Sequence, residues 1–172
     1  MLAAMFSVRP AKPDDAAALL ATLKSLLAET PSNVPLAPDE LQLTVSQERD
    51  ILAEYAVSPR SAMLVADDGT GIIGQLSIKP VSERRALLHI ATLGMAVVSA
   101  WRGRGVGSAL VTAGLEFARG AGYKRVELYV YARNTSAIRL YEKHGFVHEG
   151  TRRGYIREGD TYLDDFIMAR VE

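Results

Sequence analysis

The chain has 172 residues, of which 48% are hydrophobic, with 20 Lys and Arg against 20 Asp and Glu. That length supports one domain with a substantial core, and the even charge balance leaves no broad electrostatic footprint for nucleic acid or an anionic membrane. The absence of cysteine removes disulfides, thiolate metal sites and a cysteine nucleophile, and is compatible with a reducing compartment. The opening, Met1 to Phe6, lacks a basic stretch and is too short for a leader, and no apolar run reaches the ~20 residues of a membrane span. A soluble, cytoplasmic single domain over residues 1–172 is expected.

In chain order, Phe6 to Arg9 reads as a short strand, and an Ala- and Leu-rich helix runs to Glu29 with Asp14 or Asp15 as its cap. Thr30 to Pro38 carries three prolines and is irregular; such a link between two early helices can form a pocket wall. Ser46 to Val57 is a second helix, closed by Ser58-Pro59. Ser61 to Ala66 and Ile72 to Lys79 flank a hairpin turn at Asp67 to Gly71. Leu87 to Val98 is a long strand. After it, Val106, Ala109, Leu110, Ala113 and Phe117 repeat at helical intervals up to Gly120 and Gly122. Arg125 to Tyr131 alternates, with Val126, Leu128 and Val130 on one face and Glu127, Tyr129 and Tyr131 on the other. Asn134 to His144 is a short helix ended by Gly145, and Phe146 to Glu149 and Tyr162 to Ala169 are the last strands. Hairpins around one strand-helix-strand crossover give an α/β fold in the order β-α-α-β-β-β-α-β-α-β-β, with helices on both faces of the sheet.

The chain is organised around Leu93 to Leu110, a strand, a glycine-rich turn and a helix start. Gly103, Gly105 and Gly107 let backbone come close to a bound group, the first helical amides are free, and the helix dipole with Arg102 and Arg104 favours an anion. The spacing does not fit the P-loop, because no Lys lies between Lys79 and Lys124. Nor does it fit the dinucleotide fingerprint, because Ser108 and Leu110 stand where a glycine is needed. Arg-x-x-Gly-x-Gly, from Arg102 to Gly107, resembles the acyl-CoA signature of the GCN5-related N-acetyltransferases, the GNAT superfamily. A second segment, Asn134 followed by Ala137, Tyr141 and Gly145-Phe146, resembles the same family.

The resemblance implies a mixed, mostly antiparallel central sheet of six to seven strands. It also implies acetyl-CoA as cosubstrate, no metal, and direct transfer of acetyl to a primary amine. The loop amides of Arg102, Gly103, Arg104, Gly105, Val106, Gly107 and Ser108 would hold the coenzyme's pyrophosphate. The strands before and after the main helix would splay apart, so that main-chain groups of Met95 and Val97 meet the pantetheine and an N–H near Met95 faces the thioester oxygen. Asn134 either caps its helix or bonds the pantetheine arm.

Acetyl transfer needs a neutral amine, an oxyanion donor and a proton for the departing thiolate. Tyr141 suits the last role, since a phenol of pKa about 10 can serve a thiol of pKa about 8.5. The resemblance implies a glutamate base on the strand before the cradle, but no carboxylate lies between Ala86 and Val98, so His89 or a water is left as base. An α-amine of pKa about 8 is substantially neutral at pH 7, unlike a lysine amine of about 10.4, so a weak base favours α-amines. In the turn-rich tail, Asp164 or Asp165 could meet a cationic amine. The tail and the overall pattern are similar to those of bacterial members acting on amino acids or small amines. Small-molecule amines are therefore the expected acceptors, with a homodimer through the final strands implied by resemblance. The alternatives are acetylation of a protein N-terminus, favoured by a long open groove, and a non-catalytic acyl-CoA sensor.

Overall fold

The computed structural model describes residues 6–172. The expectation that the chain opens without a leader falls mostly on Met1 to Met5, outside the described residues. Seven strands, β1 (Ser7–Pro10), β2 (Ala62–Asp67), β3 (Ile72–Pro80), β4 (Ile90–Val97), β5 (Arg125–Tyr131), β6 (Val147–Glu158) and β7 (Thr161–Val171), form one sheet in the order β1-β2-β3-β4-β5-β7-β6. Only the β4–β5 pair is parallel. Parallel neighbours need a crossover, here supplied by helix α3 (Val106–Gly120). Helices α1 (Ala16–Leu27) and α2 (Val45–Val57) pack on β2 and β3, and α4 (Thr135–Lys143) lies beside α3.

Each face of the sheet has its own core. Leu64, Leu76, Ile78, Ala91, Leu93, Leu128 and Met168 join Val106, Leu110 and Val111 under α3, whereas Val65 and Ile72 join Ala16, Leu19 and Leu52 under α1 and α2. Helix α3 presents Val106, Leu110, Val111, Gly114, Leu115 and Ala118 as its buried stripe. The stripe is rotated from the expected one: Ala109, Ala113 and Phe117 are only half-buried. Gly114 accounts for the rotation. A Cβ there would stand 2.9 Å from Leu76 Cδ2, so the helix seats its glycine against the large residue of β3. The expected stop holds, with Gly122 at φ +82° and the Tyr123 N–H donating back to Ala118 O at 2.9 Å.

Local chemistry sets the other boundaries. Thr44 Oγ1 accepts from the Gln47 N–H at 3.2 Å while Gln47 Oε1 accepts from the Thr44 N–H at 2.9 Å, which starts α2 at Val45. Asp15 stands at the N-cap of α1, but its side chain does not bond the helix. Its carboxylate accepts from the Lys12 N–H at 2.7 Å and from two nitrogens of Arg9, closing a 3-10 turn over Pro13–Asp15. Nor does strand continue back to Leu87: Arg85–Leu87 is a 3-10 turn and β4 starts at Ile90. The tail is not mainly loop. β6 and β7 are long paired strands joined at Gly159-Asp160, where Gly159 has φ +58°.

Candidate active site

β4 and β5 pair only from Ile90↔Arg125 to Thr92↔Glu127. Beyond that point β4 stays on β3, as far as Gly74↔Val97, and β5 stays on β7, as far as Tyr131↔Asp165. The sheet is therefore split between Leu93–Val97 and Leu128–Tyr131, with unpaired backbone on both sides. Bonds from Val98 N to Ile73 O and from Val81 N to Ile90 O fix the ladder's phase. Because antiparallel ladders alternate every second residue, Leu93, Met95 and Val97 aim their N–H and C=O groups into the split. Met95 has the expected orientation. The Val97 carbonyl already accepts from Arg102 Nε at 2.9 Å, so its N–H is what remains for a ligand.

The glycine-rich turn follows directly. Gly103 and Gly105 sit at φ +72° and +87°, a backbone that residues with a Cβ avoid. Gly105 is the N-cap of α3 and no side chain caps the helix. The first intrahelical bond is Ala109 N to Gly105 O, leaving the amides of Val106, Gly107 and Ser108 free to meet an anion. Gly107 leaves room for its neighbours, for a Cβ would lie 2.9 Å from Leu140 Cδ2 and 3.4 Å from Met95 Cε and one of these side chains would have to move. A bare, backbone-lined N-terminus beside a split strand pair suits a phosphate group followed by an amide-bearing arm.

The two arginines part company here. Arg104 stacks over Trp101 at 5.4 Å with no ion-pair partner among the described residues, whereas Arg102 Nη2 donates to Glu29 Oε2 at 2.6 Å. At the end of β5, Arg133 makes the matching contact. Its Nη2 donates to Ser32 O at 2.6 Å, its Nε to Asn33 Oδ1 at 3.3 Å, and both Nη groups to Glu158. The segment from Glu29 to Asn33 thus runs from the end of β4 to the end of β5, across the mouth of the split. Four residue steps span at most about 14 Å. The proline-rich link thus begins as a short bar held at both ends.

On α4, Asn134 caps the helix: its Oδ1 accepts from the Ala137 N–H at 3.3 Å and from Ser136 Oγ at 3.1 Å. The amide nitrogen is left over as a donor. Tyr141 is only 5% exposed, with its ring 5.7 Å from Phe146. Its hydroxyl makes no protein hydrogen bond among the described residues, and burial pushes the phenol up to about 12.

His89 is not brought to this site. It is exposed and lies ahead of β4, where its carbonyl accepts from the Lys124 and Arg125 N–H groups at the paired root of β4 and β5. Six residues of extended chain, roughly 20 Å, separate it from Met95. Asp164 and Asp165 are likewise spent on the fold, Asp164 accepting from the Gly154 N–H at 2.7 Å and Asp165, buried, pairing with Arg152.

The carboxylate that does border the split is Glu127, at its last paired position and on the face of β5 away from α3. Tyr129 Oη donates to Glu127 Oε1 at 3.2 Å, and Arg125 Nε and Nη2 donate to Glu127 Oε2, each at 3.2 Å. Tyr129 is 48% exposed, stacks under the Arg152 guanidinium at 4.1 Å, and has its phenol pushed up by burial and then by Glu127. Sequence alternation places both residues on one face. Only long-range pairing shows that this face opens on a gap.

The model of the acetyltransferase (GNAT) family matches residues 22–146. The chain belongs to this family. It shares its activity class, transfer of acetyl from acetyl-CoA to a nitrogen. Among its relatives is the L-amino acid N-acetyltransferase AaaT of Escherichia coli, 37% identical over 115 residues, which are 66% of this chain and 70% of that protein. A GNAT acetyltransferase of Streptococcus pneumoniae superposes with a TM-score of 0.91 at 31% identity, covering 97% of this chain and 99% of that one. yncA of Salmonella typhimurium, solved with its cofactor acetyl-CoA, shares the fold at a TM-score of 0.81 and 18% identity, covering 97% of this chain and 94% of its own. No helix among the described residues is long and apolar enough to cross a membrane.

Proposed function

We propose that residues 1–172 act as one unit that acetylates the primary amine of a small acceptor, an amino acid or a closely related amine. The observation that carries this reading is the bar from Glu29 to Asn33, latched by Arg102 and Arg133 across the mouth of the split. A bar at that end favours a free small molecule over a chain continuing outward. The likeness to an amino-acid acetyltransferase supports the same acceptor class.

Acetyl-CoA lies with its phosphates on the amides of Val106 to Ser108 and its arm along Met95 and Val97, with the Asn134 amide as a further donor. The Met95 N–H, aimed into the split, stabilises the oxyanion as the amine attacks. The amine's proton passes to the Tyr129 oxygen while the Tyr129 proton passes to Glu127. The C–S bond breaks, and Tyr141, protonated throughout the working pH range, donates to the sulfur.

Thiol release from acetyl-CoA tests this across amino acids, polyamines and N-terminal peptides. With no cysteine in the chain, a thiol reagent sees only product. Release with amino acids and not with peptides is the expected result. Release with peptides alone overturns the small-acceptor reading, and silence with tight acetyl-CoA binding points to a sensor.

A further inference from the structure

α3 and α4 are joined by one side-chain hydrogen bond at the cradle itself. Ser108, third residue of α3, has its Oγ 2.8 Å from His144 Nε2 at the C-terminal cap of α4. His144 is held from its backbone side: its N–H returns to Leu140 O and Tyr141 O, and its carbonyl accepts from Arg170 Nη1 of β7 at 3.0 Å. The ring is thus a fixed group facing a hydroxyl in a turn whose neighbouring amides are free.

A hydroxyl has one proton to donate. If Nε2 is an acceptor, Ser108 spends that proton on the histidine and turns lone pairs toward an incoming anion. If Nε2 carries a proton, Ser108 accepts from it and its own O–H is free for the anion. We propose that His144 is a positioning residue for the coenzyme's diphosphate, donating from Nε2 so that the Ser108 hydroxyl points to the anion alongside the α3 amides. This rests on the reading of the Gly103–Ser108 turn as the coenzyme cradle.

The charged groups acting on the ring are Lys143 on α4 and Arg170 on β7, and α3 contributes the neutral Ser108. Burial first, then these two cations, hold the imidazole below its ordinary value. A bound diphosphate opposes the cations and favours the imidazolium, in which both nitrogens donate. Coenzyme binding therefore takes up a proton at His144, and affinity gains a component that grows as pH falls.

The test is calorimetric binding of CoA to the intact protein, without acceptor, together with imidazole NMR titrations. His144→Ala and Ser108→Ala are each expected to weaken CoA binding about fivefold, the scale of one lost hydrogen bond, and the double variant no further. His144→Gln keeps a side-chain donor and is expected to bind near the wild-type level while losing the histidine's share of the pH dependence. In the unaltered protein the His144 midpoint rises when CoA is added. Equal binding by the His144→Ala variant, losses that simply multiply in the double variant, or an unmoved His144 midpoint overturns the proposal. If the unaltered protein does not bind CoA, the cradle reading itself fails, an outcome distinct from binding that ignores His144.

Discussion

Gly107 in the first turn of α3 and Leu140 on α4 approach so closely that a methyl group on the glycine would stand 2.9 Å from Leu140 Cδ2. The cradle, the split strand through Met95, and α4 are thereby packed as one unit. Gly107→Ala must push Leu140 or Met95 aside, at a cost on the order of 1–3 kcal/mol for overpacking. The expected result is a lower melting temperature and weaker CoA binding together. A variant that melts and binds like the parent would show that the two helices yield freely here.

Tyr141→Phe separates chemistry from packing, because it keeps the ring against Phe146 and removes only the hydroxyl. On the order of a hundredfold loss in kcat is expected, in the range of general acid catalysis, with CoA affinity unchanged. The buried phenol also has a stability signature. Its folded value of about 12 lies above an unfolded value of about 10, so its contribution is complete below pH about 10 and is lost as pH rises toward about 12. Tyr55, Tyr129 and Tyr131 are shifted the same way and remain in the variant. Urea unfolding at pH 9 and pH 11 should therefore show the parent losing more stability than Tyr141→Phe. Equal losses would mean that the hydroxyl is not desolvated.

Much of this was legible in the chain. Gly103, Gly105 and Gly107 announce a turn with free amides because their spacing is local, and the structure needs two of them for φ and one for space. Strand alternation in Arg125 to Tyr131 is equally local. What was hidden depends on pairing across long separations. The loss of β4–β5 pairing after Thr92↔Glu127 has no mark in either strand, and the resemblance alone suggested it. Likewise, Arg102 reads as a cradle cation, but Glu29, 73 positions earlier, takes it for the bar. His89 looks like part of β4 because Leu87 and Leu88, at the end of the 3-10 turn over Arg85–Leu87, are as apolar as the strand that follows.

Arg133 ties three segments together through Ser32, Asn33 and Glu158. Removing it in Arg133→Ala unlatches the bar at the β5 end while Arg102 keeps the other. The expected consequence is an acceptor KM raised by about tenfold, the scale of one lost charged hydrogen bond, with CoA binding unaffected and faster proteolysis within residues 30–36. Arg133→Lys keeps the charge but not the planar fork and should fall between. An unchanged acceptor KM in Arg133→Ala would remove the bar from the acceptor site.

Glu127→Gln tests the proton route. The amide oxygen still accepts from Tyr129 Oη, and Arg125 keeps Glu149 through two bonds, at 2.8 and 2.5 Å, so the strand stays in place while the proton acceptor is lost. An acceptor amine bound as its ammonium form must give that group a proton before it can attack, whereas a neutral amine attacks directly and its far more acidic intermediate can release its proton to water. The variant is therefore expected to lose on the order of a hundredfold in kcat at pH 7 and to recover as pH passes the acceptor's own pKa. Tyr129→Phe should show the same profile and the double variant no deeper loss, since the two groups carry one proton in series. A Glu127→Gln enzyme with the parent's kcat at pH 7 would leave water as the base.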